Sequence, residues 1–162
     1  MRPKSHENLN RMKQLAEDFF GTKNDPEQIS INRRVMTKLH RIHPSTMTEK
    51  RTAKGPIAWI LVIPATQTLM KQFIKKQINE RELLAKTSCK MNYDAVYLCS
   101  ALVLPEYRRR GLAKSISIKA IKSIQKQYPI KALFCWSFSA EGKKLAVSIA
   151  KELSLPLYKR AG

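Results

Sequence analysis

The chain has 162 residues, 43% of them hydrophobic, which suits one globular domain with a proper core and excludes a disordered or fibrous chain. Lysine and arginine number 31 against 12 acids, and the formal net charge of +19 selects polyanionic partners: nucleic acid, an anionic membrane or a phosphorylated cofactor. Three cysteines, Cys89, Cys99 and Cys135, make no Cys-x-x-Cys pair and no even disulfide framework, which points to a reducing cytoplasm.

The first residues, Met1-Arg2-Pro3-Lys4-Ser5-His6, have no apolar run behind them and read as no signal peptide. From Glu7 to Phe20, the three-to-four spacing of Leu9, Met12, Leu15, Ala16 and Phe19 predicts a helix that Gly21 stops. Asn24-Asp25-Pro26-Glu27 reads as the start of a second helix, with Asp25 as cap and Pro26 at the first helical position. Ile31, Val35, Leu39 and Ile42 form its apolar stripe, and Pro44 ends it. Ser45 to Lys54 is polar and fits either a loop or an edge strand. Pro56 to Ile63 is a buried strand, and Thr66 to about Leu84 a third helix with Leu69, Met70, Phe73, Ile74 and Ile78 inward. Asp94 to Leu104 is an almost unbroken apolar run, expected of a central strand covered on both faces. Neither apolar run is long enough to span a bilayer. A helix from Arg110 to about Gln127, a strand from Lys131 to Phe138, a helix from Ala140 to Leu153 and a short strand from Leu155 to Lys159 complete the chain. That alternation means a largely parallel, right-handed α/β arrangement in the second half, with no internal linker.

Chemistry concentrates in Val103-Leu104-Pro105-Glu106-Tyr107-Arg108-Arg109-Arg110-Gly111-Leu112-Ala113. A buried strand ends, a basic turn follows and a helix opens. Backbone N–H groups at such a junction lack intrahelical partners and point the same way, and the helix dipole adds partial positive charge, so a phosphate or pyrophosphate fits there. Gly111 and Ala113 are small where a diphosphate approaches the backbone, and Arg108, Arg109, Arg110 and Lys114 surround it with charge. A solvated basic turn is the plainer alternative on pattern alone.

This run resembles the acetyl-CoA signature of the GNAT N-acetyltransferase superfamily, Val-x-Pro-Glu-Tyr-Arg-x-x-Gly-x-Gly/Ala, and meets every fixed position between Val103 and Ala113. The likeness extends over roughly Asp94 to Arg160. It implies an α/β fold of the α+β type, a mixed sheet flanked by helices whose splayed central strands bind acyl-CoA, with the whole chain as one domain. It implies further that Arg108 to Ala113, with Lys114, line the pyrophosphate. Ala101, Leu102 and Val103 would offer main-chain groups to the pantetheine arm, as a strand pairs with a peptide. An amine acceptor, small molecule or protein, would attack the thioester of acetyl-CoA directly. Two positions depart from the family pattern. Ile149-Ala150 stands where many members carry Leu-Tyr, the tyrosine that protonates the leaving thiolate, and Lys143 replaces a common asparagine.

Catalytic groups stay unassigned at this stage. Glu49, in a region that often shapes the acceptor pocket, is more simply a surface carboxylate, and Tyr97 or Tyr158 could stand in for the missing tyrosine. Glu106 reads as structural. Ser137 and Ser139 are candidates for polar contacts where the acyl group passes. His40 and His43 lack further ligands at metal-binding spacing, so no metal is expected, and favourable placement at a helix C-terminus accounts for them. Trp59 and Trp136 read as core residues or as acceptor-pocket walls. Cys99 and Cys135 fall on neighbouring strands and read as small apolar residues. A second functional reading keeps the fold but not the catalysis: a GNAT-like basic module that binds nucleic acid or another polyanion.

Overall fold

The two apolar runs of the sequence pair at the centre of a five-stranded sheet. In the computed structural model, which describes residues 3–20, 28–29, 32–137 and 139–161, the element order is α1 (Pro3–Phe20), α2 (Arg33–Ile42), β1 (Met47–Thr52), β2 (Gly55–Ala65), α3 (Gln67–Ile74), α4 (Glu80–Lys86), β3 (Ala95–Val103), α5 (Leu112–Gln125), β4 (Ala132–Cys135), α6 (Ala140–Leu153) and β5 (Leu157–Lys159). The strands lie in sequence order. β2 runs antiparallel to both of its neighbours, β1 and β3, whereas β3, β4 and β5 run parallel. The sheet is therefore mixed, with its parallel part in the second half.

Local chemistry explains where the elements depart from the spacing argument. The polar stretch 45–54 is an edge strand, turned back into β2 through Gly55 at φ 110°, a backbone conformation open to glycine. The second helix does not run from Pro26. Gln28 and Ile29 are not helical, and α2 opens at Asn32, whose side chain accepts from the Val35 N–H at 2.9 Å. The start at 24–27 lies outside the described residues, as do Gly21, Ile31, Phe138 and the side chain of Phe19. The single helix expected from Thr66 to Leu84 is two. Thr66 caps α3, the chain turns through Lys76 at φ 62°, and Asn79 starts α4 with a capping box closed by Glu82. A local cap that satisfies two amide hydrogens outweighs the apolar spacing that would have continued the helix.

Phe73 of α3 packs edge-on against Tyr97 and Phe134, with ring centroids 5.1 and 5.9 Å away. Ile121 and Ile124 of α5 and Ile149 of α6 belong to the same core. A smaller cluster joins Met12 of α1 to Ile57, Leu102 and Leu104, with Leu15, Trp59, Tyr107 and Leu112 around it. Trp59 is only half-buried there, its indole N–H donating to Glu49 at 3.0 Å, so it is a partial rather than a full core residue. Among the described residues no helix is long and apolar enough to cross a membrane.

Two irregularities in β3 set up the site. A bulge opposite Leu61 and Val62 leaves Cys99 as the extra residue between Leu98 and Ser100. Pairing with β4 then stops at Leu98–Cys135, while β3 continues to Val103. The middle of the sheet opens at that point.

Candidate functional site

A cavity of about 710 Å³ fills the opening. Its floor is 98–103 of β3. One wall is the start of α5, from Gly111 to Lys114 with Ser117. The other comprises Trp136, Ser137, Ser139, Gly142 and Ile149.

The turn that leads into α5 is built by its backbone. Leu104 N–H donates to the Ile57 carbonyl at 2.9 Å and Tyr107 N–H to Leu104 at 2.9 Å, forming a single 3-10 turn over Pro105–Tyr107. Arg109 and Gly111 then adopt left-handed backbone, at φ 64° and 73°. For Gly111 this conformation is the reason for glycine, because a Cβ there would meet nothing within 4 Å. The first backbone bond of the helix runs from Ser115 N–H to the Gly111 carbonyl. The amides of Leu112, Ala113 and Lys114 thus precede the hydrogen-bond ladder, with the positive end of the dipole behind them.

Of the residues expected around a pyrophosphate, Arg108, Arg109, Gly111, Leu112, Ala113 and Lys114 line the cavity, together with Ala101, Leu102 and Val103. Arg108 donates through Nε to the Val103 carbonyl at 3.0 Å, and Lys114 lies 3.3 Å from Glu152. Arg110 is not on the wall; its guanidinium lies over the Tyr107 ring, 5.3 Å from the centroid. Glu106 faces away as well. It makes a bidentate pair with Arg11 of α1 at 2.7 and 2.8 Å, which holds its carboxyl down at about 2 and braces the turn from behind.

A second helix start faces the same cavity. Ser139 caps α6 by accepting from Gly142 N–H at 3.0 Å, and a Cβ on Gly142 would come within 3.1 Å of that hydroxyl. Ser137 and Ser139 both line the wall, but Lys143 is exposed and does not. Ile149 presents a hydrocarbon side chain to the cavity, and Ala150 is buried beside it, so α6 offers no hydroxyl at this level.

The three candidates for proton transfer lie elsewhere. Glu49 is on the β1 edge, engaged by Arg51 at 2.7 Å and by Trp59; Tyr158 is exposed on β5. Tyr97 is fully buried and donates to Glu80 at 2.5 Å, and burial pushes its phenol well above the usual value. Glu80 escaped the sequence argument because it falls within the single helix expected from Thr66 to about Leu84, away from that helix's apolar stripe. It is buried, accepts from Ile29 N–H at 2.8 Å, and lies 3.8 Å from the Cys99 thiol on the cavity floor. Burial, reinforced by Glu80, pushes the Cys99 thiol well up, so it is protonated rather than a thiolate. Trp136 is held by Arg160, whose guanidinium sits 4.7 Å from its ring centroid and 4.6 Å from that of Phe73 while donating to the Ile78 carbonyl at 2.8 Å. His43 corrects the dipole argument. It is buried, accepts from Ser45 N–H through Nδ1 at 3.0 Å, and burial lowers its value below 6.5, so it is a neutral acceptor rather than a cation at the helix end.

No protein-family model matches the sequence, and no curated protein does. The fold has solved counterparts. The chain superimposes on the crystal structure of Chaetomium thermophilum Naa20 in complex with a bisubstrate analogue, with a TM-score of 0.52 and 14% identity, over 91% of its own length and 65% of that chain. It therefore spans just under two thirds of that protein. A ribosomal-protein-alanine N-acetyltransferase from Brucella melitensis biovar Abortus 2308 also matches, at a TM-score of 0.43 and 14% identity, over 90% of this chain and 83% of the other. With its mixed sheet parting between β3 and β4 and its helices on the flanks, this chain has the GNAT-type fold.

Proposed function

We propose that 1–162 is a single acyltransferase domain whose cavity binds acyl-CoA, acetyl-CoA being the donor, and passes the acyl group to a primary amine. The observation that carries this reading is the meeting of two helix starts and an arginine-bearing turn at the place where β3 and β4 part. In this reading the amides of Leu112, Ala113 and Lys114 receive the pyrophosphate, and Arg108 and Arg109 add charge at the mouth. The main chain of Ala101 to Val103 holds the pantetheine arm, and the thioester reaches the level of Cys99 and Trp136.

Transfer follows by direct attack. The amine nitrogen bonds to the carbonyl carbon, the carbon–sulfur bond breaks, the amine proton passes to water and coenzyme A leaves as its thiolate. A protonated Cys99 thiol, facing Glu80 at 3.8 Å, favours this route over an acyl-cysteine intermediate. Without a hydroxyl at Ile149-Ala150, the departing sulfur is left to the start of α6 at Ser139 and to water, because the start of α5 is taken up by the pyrophosphate at the far end of the pantetheine arm.

Thermal denaturation with acetyl-CoA, succinyl-CoA and free coenzyme A tests the reading. A ligand at a hundred times its dissociation constant adds about 2.7 kcal/mol; no stabilisation by any of the three would sink it. Gly111→Leu should fold at a cost of about 1–2 kcal/mol from its left-handed backbone, and should lose the stabilisation because the added side chain stands at the cavity wall beside the amides that open α5. Amine-dependent release of coenzyme A thiol, with peptide N-termini, lysine peptides and polyamines as acceptors, then separates transfer from binding alone.

A further inference from the structure

Between Glu106 and Glu141 the chain contains eight lysines and arginines and no acidic residue. Part of that charge is displayed by α5 and by Lys126, which caps its C-terminus in helical conformation. Lys119, Lys122 and Lys126 are all exposed, and at 100° per residue they fall within about 60° of arc, a row about 10 Å long. Of the ion pairs among the described residues, only Lys114–Glu152 involves this helix, so the row faces solvent without neutralising partners. We propose that this outer face of α5 is a docking surface for double-stranded RNA, gripped through its phosphates.

Three features favour that partner. The isoleucines of α5, at 116, 118, 121 and 124, are buried, which leaves no apolar wedge for a bilayer. No aromatic side chain stands on the row to stack an unpaired base. A row one lysine wide matches the narrow, deep major groove of an A-form duplex, where two phosphate rows converge, better than the wide B-form groove. The cofactor cavity lies at the start of α5 and on its buried side, so this surface does not depend on the acyltransferase reading.

Anisotropy of a fluorescent RNA duplex, titrated with the full chain from about 50 to about 200 mM salt, tests it. Each phosphate contact adds about 0.9 to the salt slope, so Lys119→Gln, Lys122→Gln and Lys126→Gln together should lower the slope by about 2.7 and weaken binding at low salt. A charge-matched control, Lys71→Gln, Lys75→Gln and Lys76→Gln, should leave binding near that of the unmodified chain. Equal losses in both variants would mean unspecific attraction and overturn the surface. Equal affinity for a DNA duplex of the same sequence, or preferential binding to phosphatidylserine vesicles, would overturn the choice of RNA. Stabilisation by acetyl-CoA, measured on the same variants, should be unchanged.

Discussion

His43 shows how one side chain can carry a pH dependence that its surroundings dictate. Its imidazole is buried and accepts a hydrogen bond from Ser45, and burial holds its folded value below 6.5. A depressed value means that the contribution to stability is complete above 6.5 and is lost as pH falls through the lower, folded value. Midpoints of thermal unfolding should therefore decline as the pH falls from 6.5 through the folded value. His43→Asn, which keeps an acceptor but cannot titrate, should flatten the decline; an unchanged profile would assign the effect to other groups. Glu106 behaves likewise but lower, since its pairing with Arg11 holds until pH falls from its ordinary 4.5 towards about 2. Glu106 reads as structural from sequence, but its partner Arg11 does not, and the state of His43 is not readable at all. A histidine at a helix end looks like a cation favoured by the dipole, and only burial turns it into a neutral acceptor. Glu80 is the same lesson with the opposite charge: its place at the start of α4 suggests exposure, and Tyr97 and Ile29 close over it.

At the scale of elements, α1 supports the basic turn although it contributes little to the cavity. Met12 is fully buried among Ile57, Leu102 and Leu104, and Arg11 grips Glu106 one residue earlier on the same helix. Met12→Ala should cost about 2–5 kcal/mol in urea unfolding. Because it loosens the support of the turn, it should also reduce the stabilisation conferred by acetyl-CoA at fixed concentration; a stability loss with unaltered ligand affinity would show that α1 is only packing. The elements themselves were legible where side-chain period and caps agree. Ala140–Leu153 is a helix over the bounds expected, and Ala95–Val103 reads as a central strand, although from Leu98 onward it is mostly half-buried because it floors the cavity. Reading failed where a cap competes with periodicity, as at Asn79 and Asn32, and stayed open between loop and edge strand where a polar strand is stabilised only by its neighbour, as in β1. For the site, the turn from Val103 to Ala113 was visible because its residues are contiguous. The opposite wall was partly visible through Ser137 and Ser139. The placement of Trp136 by Arg160 was not, since it depends on a contact between the ends of two parallel strands and a distant turn.

The whole molecule carries a net +19 with three ion pairs among its described residues. Like charges on that scale repel one another, and salt screens them over about 8–10 Å near physiological strength. The melting temperature should accordingly rise as sodium chloride is added from low ionic strength, in contrast to a protein stabilised by surface ion pairs. A fall would mean that attractive contacts dominate. The same field would draw an anionic donor toward the cavity mouth, where Arg108, Arg109 and Lys114 outnumber Glu141.

The early end of β4 has a consequence for what this protein can exclude. An unpaired strand edge at the rim of a sheet invites another protein's strand and, with it, aggregation. Here the unpaired stretch of β3 lies in the middle of the sheet, between the starts of α5 and α6. A second sheet cannot reach it. A slender, extended molecule, one chain of atoms wide, can. The protein thereby keeps a sticky backbone edge in its interior and sorts its visitors by girth before any side chain is consulted.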